Sequence, residues 1–323
     1  MTPIQLASFA IKSGAISLEK DMDLVLARLR RMPAEAVDQF LRQLTMELQP
    51  SAGAIQNVVV RRKMLKQLVG QIQGVFLSWR PEDWTLFLST RLSPLLPSLG
   101  AEDTQLLLSY VSGCNNFQAF VASLGAAYSS MAPENRHGVA QSLVDFLRIQ
   151  ANTTGSACDG SMEATMSSQD WLWKNLGPFV FDADYGDFMK LKDDFSGFDV
   201  QENLTSTQLA HVFFTPGILE DIGLVSTLLT TLESRTMSSM ISFVTEFVSV
   251  AQQQGISALT NVPVRDAMFA AIFHNVRPRL TRLSPQEYKD WFRHRLGLWL
   301  PSITAEALAG LPKNMPCGIF QIV

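Results

Sequence analysis

One stretch of this chain occurs twice, and that limits its fold more than any other feature. Residues 57–102 written above residues 261–306, without a gap, agree at thirteen of forty-six positions. The identities cluster. Asn57-Val58-x-Val60-Arg61-x-x-Met64 returns as Asn261-Val262-x-Val264-Arg265-x-x-Met268, and Arg91-Leu92-x-x-x-Leu96-Pro97-Ser98 returns as Arg295-Leu296-x-x-x-Leu300-Pro301-Ser302. Pro81 returns as Pro285 and Ala101-Glu102 as Ala305-Glu306, while Trp84 becomes Tyr288. The opening residues belong to it as well: Thr2-x-x-Gln5-Leu6-Ala7 with Gly14 matches Thr205-x-x-Gln208-Leu209-Ala210 with Gly217. Composition alone would give only a few matches, so this is an internal duplication, the mark of a repeat architecture. We read residues 1–203 as a first repeat unit and 204–323 as a second, truncated one, with both ends looking like cuts in a longer tandem array.

The cysteines follow the duplication. Cys317 falls one residue from the equivalent of Cys114, whereas the equivalent of Cys158 would lie past Val323. The three cysteines therefore read as one pair, Cys114 with Cys158, and one half-pair whose partner is missing. Such a bridge closes a loop of roughly 45 residues, worth a few kcal/mol, and needs Cα atoms no more than about 7 Å apart.

Helical periodicity dominates the chain. Leu24, Leu26 and Leu29, then Val37, Phe40, Leu41, Leu44 and Leu48, fall on helical faces broken at Met32-Pro33. Pro50-Ser-Ala-Gly53 ends that run, and Val58–Trp79 resumes it. Arg80-Pro81-Glu82-Asp83 starts a further helix, with proline and carboxylates in its first turn, and Ser284-Pro285-Gln286-Glu287 repeats the device. The spacing predicts helices over 117–131 and 136–149, a polar loop over Gln150–Cys158, and short helices at 168–174 and 187–192. No sustained alternation suggests a sheet. Short helices with Pro/Gly breaks every ten to twenty residues predict an all-α, superhelical, armadillo-like helical-repeat solenoid.

Several function classes recede. A net charge of −4 argues against a nucleic-acid binder, and the short basic clusters Arg28/Arg30/Arg31, Arg61–Lys63 and Arg277/Arg279/Arg282 read as solvated helix faces. No run of eighteen apolar residues spans a membrane. The acidic run Asp182-Ala-Asp184-Tyr-Gly186-Asp187 puts glycine fifth, where a calcium loop wants it sixth, and Asp193 rather than glutamate twelfth; it reads as a capped helix start. His137, His211, His274 and His294 show no zinc spacing, and no GxSxG, P-loop or GxGxxG occurs. The expectation is no catalytic residue, no metal and no cofactor. The aromatic cluster Trp171-Leu-Trp173-Lys-Asn-Leu-Gly177-Pro-Phe179-Val-Phe181 reads as core.

Met1-Thr-Pro-Ile-Gln has no secretion signal, but two sequons, Asn152-Thr-Thr and Asn203-Leu-Thr, point outward. A glycan on an exposed loop closed by a cysteine suits an oxidising compartment.

Cys114-Asn-Asn-Phe with the distant Cys158, Trp171-Leu-x-x-Asn175-x-Gly177-x-Phe179, Phe195-x-Gly197 and Leu204-Thr-x-x-Gln208-x-Ala210 resemble long tandem-repeat vertebrate proteins, distant relatives of the mesothelin, stereocilin and otoancorin group. The resemblance covers most of the chain and implies armadillo-like helical repeats, secretion or cell-surface attachment, N-glycans, and roles in adhesion or extracellular matrix. It offers no catalytic residue. The expectation is therefore a non-enzymatic extracellular or cell-surface glycoprotein that acts as adhesion module or matrix scaffold and meets protein or glycoprotein partners. The alternative is an intracellular armadillo-like scaffold that binds peptides.

Overall fold

A computed structural model describes residues 1–49, 55–72, 76, 78–161, 164–280 and 283–309. Cys317, the Pro50–Gly53 break and Arg282 lie outside them. The chain is all-α, in two compact units, Met1–Asp194 and Phe195–Val323. The extended pairing among the described residues is one small antiparallel hairpin, β1 (Gly160–Ser161) on β2 (Ala164–Thr165), with Gly160 opposite Thr165.

Unit 1 runs through α1 (Pro3–Lys12), α2 (Glu19–Leu29), α3 (Ala34–Leu48), α4 (Val58–Ile72), α5 (Pro81–Leu86), α6 (Ala101–Leu108), α7 (Gly113–Gly125), α8 (Pro133–Thr154), α9 (Ser168–Asn175) and α10 (Tyr185–Leu191). Helices pack on the helix two places along. α2, α4, α6, α8 and α10 make one row; α1 and α3, then α5, α7 and α9, make another. A π-helical turn, Phe87–Arg91, joins the two halves of the second row by touching both α3 and α7. Apolar faces at helical spacing cause this. Val37, Phe40, Leu41 and Leu44 of α3 are fully buried, as are Met64, Leu65 and Leu68 of α4. Leu24, counted above on an apolar face, points outward instead, and Met22, Val25, Leu26 and Leu29 form the buried stripe of α2.

Unit 2 repeats the scheme with α11 (Ser206–Val212), α12 (Ile222–Glu233), α13 (Met237–Gln253), α14 (Val262–Leu280), α15 (Pro285–Lys289) and α16 (Ala305–Ala309). α11 packs on α13 and α12 on α14, as α1 does on α3 and α2 on α4.

The repeated residues repeat their bonds. Thr2 and Thr205 each cap a helix by accepting the N–H three residues on, and Gln5 and Gln208 return the favour. Gly14 and Gly217 turn the chain at φ 76° and 90°, a region that favours glycine. Asn57 Oδ1 accepts the Val60 N–H while its Nδ2 donates to Ser17 O; Asn261 does the same with Val264 and with Leu219 and Glu220. In both copies the helix after the proline start passes into a π turn, closed by Leu92 N–H to Phe87 O at 2.8 Å and by Leu296 N–H to Trp291 O at 2.7 Å. A 3₁₀ turn follows, Leu96–Ser98 or Leu300–Ser302.

Arg61 holds these pieces together. Its Nε donates to Ser98 Oγ (2.6 Å) and its Nη1 to Ile55 O (2.6 Å). Arg265 makes the matching bonds to Ser302 Oγ (2.7 Å) and Leu259 O (3.2 Å). Arg61 is thus half-buried and bonded, at the edge of the solvated basic face read from the sequence; burial, with Arg62 nearby, lowers its pKa, although guanidinium remains charged. Lys63 of the same basic run does face solvent, bridging Glu19 and Asp23. Arg61→Leu should therefore destabilise unit 1 by about 1–3 kcal/mol, because it removes two charge-assisted bonds and leaves the carbonyl of buried Ile55 unmatched. Arg265→Leu should do the same in unit 2, and Lys63→Leu should do little. Urea unfolding of the three variants checks this ranking.

Candidate functional site

Of the residues singled out by the sequence, Cys114, Asn152 and Cys158 lie in unit 1 and Asn203 in unit 2. Cys114 opens α7, Cys158 follows α8, and the two are disulfide-bonded, with S–S 2.05 Å and Cα–Cα 5.3 Å. Asn152 is exposed, but not in a loop: α8 runs on to Thr154, beyond the predicted end at residue 149. The reason is local. Thr153 and Thr154 hydroxyls donate to the carbonyls of Ile149 and Gln150, and Gly155 at φ 75° caps the helix. Asn152 therefore sits in the last turn of a helix, just before the bridged loop. Asn203 is half-buried at the end of a 3₁₀ turn, Gln201–Asn203; its sequon runs through buried Leu204 to Thr205, whose hydroxyl is the cap of α11.

The loop from Gly155 to Asp159 is clamped by the residues that follow the hairpin. Trp171 Nε1 donates to Ala157 O (2.9 Å), and Asn175 Nδ2 donates to Cys158 O (3.3 Å). Asn175 is fully buried and receives Gln118 Nε2 of α7 at 3.1 Å, so one amide ties loop, α9 and α7 together. Cys158 has φ 57°, a left-handed conformation uncommon for a side-chain-bearing residue. Lys192, with its side chain 1% exposed, meets Asp159 at 2.8 Å and Asp194 at 2.7 Å. Burial would lower its pKa; the bonds to the two carboxylates outweigh this and raise it. A raised lysine contributes stability present in full below its unfolded value and lost only as pH climbs through the raised one, so this clamp persists through neutral pH.

The aromatic cluster divides. Trp171 and Phe179 are fully buried, whereas Trp173 and Phe181 are about 40% exposed and meet edge to face at 6.1 Å. Gly177 at φ 53° lets the chain turn tightly against Val121. The acidic run is spent on separate partners. Tyr128 Oη donates to Asp182 at 2.7 Å, and burial followed by that bond pushes its phenol up to about 12. Asp187 pairs with Arg148, and Asp194 with Lys192. His137 lies on the Asp182 carbonyl and His211 on Glu246, while His274 and His294 are exposed. Among the described residues no group of three or more His, Cys, Asp or Glu side chains could hold a metal ion, and no helix is long and apolar enough to cross a membrane.

Sequence reasoning missed the Lys192–Asp159 clamp and the role of Asn175; buried amide and lysine positions carry no periodic signal. If the clamp holds the loop, Asn175→Leu should cost about 1–3 kcal/mol with the bridge intact. Replacing both Cys114 and Cys158 by alanine should cost about 2–4 kcal/mol. Thermal unfolding of the two variants beside Trp173→Ala, which should be near neutral, tests it. No protein-family model, curated protein or solved structure matches this chain.

Proposed function

We propose that this chain is part of a non-enzymatic extracellular or cell-surface helical-repeat glycoprotein that serves as an adhesion module or matrix scaffold, of the kind the mesothelin, stereocilin and otoancorin resemblance implies. The Cys114–Cys158 bridge carries the reading: it closes a loop directly after the exposed Asn152 sequon, and disulfides persist in oxidising compartments. Residues 1–203 and 204–323 are then successive repeat units of an armadillo-like solenoid. Support for that finer arrangement is the two-place helix packing inside unit 1 and its recurrence inside unit 2. A solenoid provides an extended surface because each layer buries the apolar face of its neighbour. Asn152 is the better of the two glycan acceptors, since Asn203 is half-buried and its threonine is bound up in a cap.

Non-reducing peptide mapping with intact mass, on protein from its native source, tests this. The expected result is a Cys114–Cys158 peptide pair and hexosamine on Asn152. Three free thiols and bare asparagines would overturn it and favour an intracellular scaffold that binds peptides.

A further inference from the structure

The bridge joins two cysteines in unequal settings. Cys158 is 2% exposed, whereas Cys114 is half-exposed in the first turn of α7. Cys114 also lines an open surface cleft of about 410 Å³ with Trp79, Arg80, Pro81, Asn115 and Asn116. Thiol–disulfide exchange begins when a thiolate attacks one of the two sulfurs, and access decides which one. Here solvent meets Cys114 and not Cys158. The setting also suits an incoming anion: Cys114 stands at the positive end of a 13-residue helix, and the exposed Arg80 stands on the cleft wall.

Both cysteines are held in place by bonds that use no sulfur. Around Cys158, Ala157 O accepts Trp171 Nε1, Cys158 O accepts Asn175 Nδ2, and the Asp159 carboxylate accepts Lys192 Nζ. Asp159 O also accepts the Met166 N–H at 3.3 Å. Asn175 in turn accepts Gln118 Nε2 of α7, so the amide that holds Cys158 is tied to the helix that carries Cys114. On that helix Asn116 Nδ2 donates to Trp79 O at 3.2 Å and to Ser112 O at 3.0 Å, which fixes the first turn. If the bridge opens, the two thiols therefore stay side by side, and each meets the other at the high effective concentration of a short tether.

We propose that the Cys114–Cys158 bridge is a reversible exchange site for small anionic thiols of the glutathione class, entered at Cys114 and reclosed by Cys158. The sulfur of the small thiolate bonds to Cys114 Sγ as the Cys114–Cys158 bond breaks. The electron pair leaves on Cys158 Sγ, which takes a proton from water. One disulfide is exchanged for another, so no further oxidant or reductant enters. Cys158, still held beside Cys114, then attacks Cys114 Sγ in the reverse sense and expels the small thiol. Glutathione suits the site because its two carboxylates and thiolate outnumber its one ammonium, so it approaches Arg80 as an anion. The inference shares the bridge with the function proposed above but does not depend on its compartment.

The test uses the full chain, read by peptide mapping. Oxidised with glutathione disulfide, it should form the bridge; reduced glutathione should then open it without denaturant, and removing the thiol should let it reclose. Cys158→Ser and Cys114→Ser each leave one thiol of the pair. With glutathione disulfide, the first variant should acquire glutathione on Cys114 at least about tenfold faster than the second acquires it on Cys158. Arg80→Glu should slow opening by glutathione roughly fivefold and leave opening by cysteamine, whose thiolate form has no net charge, unchanged. Circular dichroism verifies that the variants keep their fold. A bridge that does not form, opens only in denaturant or does not reclose would overturn the proposal, as would equal or faster labelling of Cys158. Equal slowing of both thiols by Arg80→Glu would overturn the preference for anions. A bridge that exchanges as expected here but is absent from protein of the native source would leave this inference standing and overturn the extracellular reading alone.

Discussion

A half-buried guanidinium fastens the start of one helix to a turn 37 residues later, and it does so twice. Arg61 reaches Ser98 and Ile55, and Arg265 reaches Ser302 and Leu259. Between the fastened points lie a long helix, a short one, a π turn and a 3₁₀ turn. None of the short pieces has enough residues to be stable alone. The clasp fixes where the 3₁₀ turn meets the long helix, whose apolar face of Val60, Met64, Leu65 and Leu68 is buried. Packing on the second-next helix follows, since each connection only needs to bring back an element already positioned by the one before it.

The far end of unit 1 is held by different means. There the chain between α8 and α9 passes through a loop and a small hairpin. A covalent bridge, a buried amide and a buried ammonium hold that segment. Cys158 is pinned through its sulfur to α7 and through its carbonyl to Asn175, and the next residue, Asp159, is pinned to Lys192. A fixed loop of this kind keeps the end of α8, and Asn152 with it, at the surface. This is the property a glycan acceptor needs in the function proposed here.

How much of this could be read from the sequence depends on whether a residue repeats. Asn57, Arg61, Leu92 and Ser98 return at the same spacing and make the same bonds in both copies, and Pro81 and Pro285 each start a helix, so the duplicated frame was legible as identities before any geometry. What the identities did was not: Arg61 beside Arg62 and Lys63 looks like a solvated cluster, because composition cannot tell a half-buried, bonded guanidinium from an exposed one. The π turns were invisible for another reason. Moving a hydrogen bond from the fourth to the fifth residue hardly disturbs the apolar spacing over one turn. The end of α8 looks like a loop in sequence because Asn, Thr and Gly prefer loops; here the threonine hydroxyls satisfy carbonyls of their own helix. Lys192 and Asp159, 33 residues apart, meet only through the tertiary fold.

One structural frame, residues 57–98 and again 261–302, is built twice from the same contacts. Hydrogen exchange followed by mass spectrometry measures it most directly. Protection across residues 57–98 should recur across residues 261–302 in the same register, with slow exchange at Leu92 and Leu296, the amides that close the two π turns. Protection confined to one copy, or maxima displaced between the copies, would mean that the two stretches are not built alike.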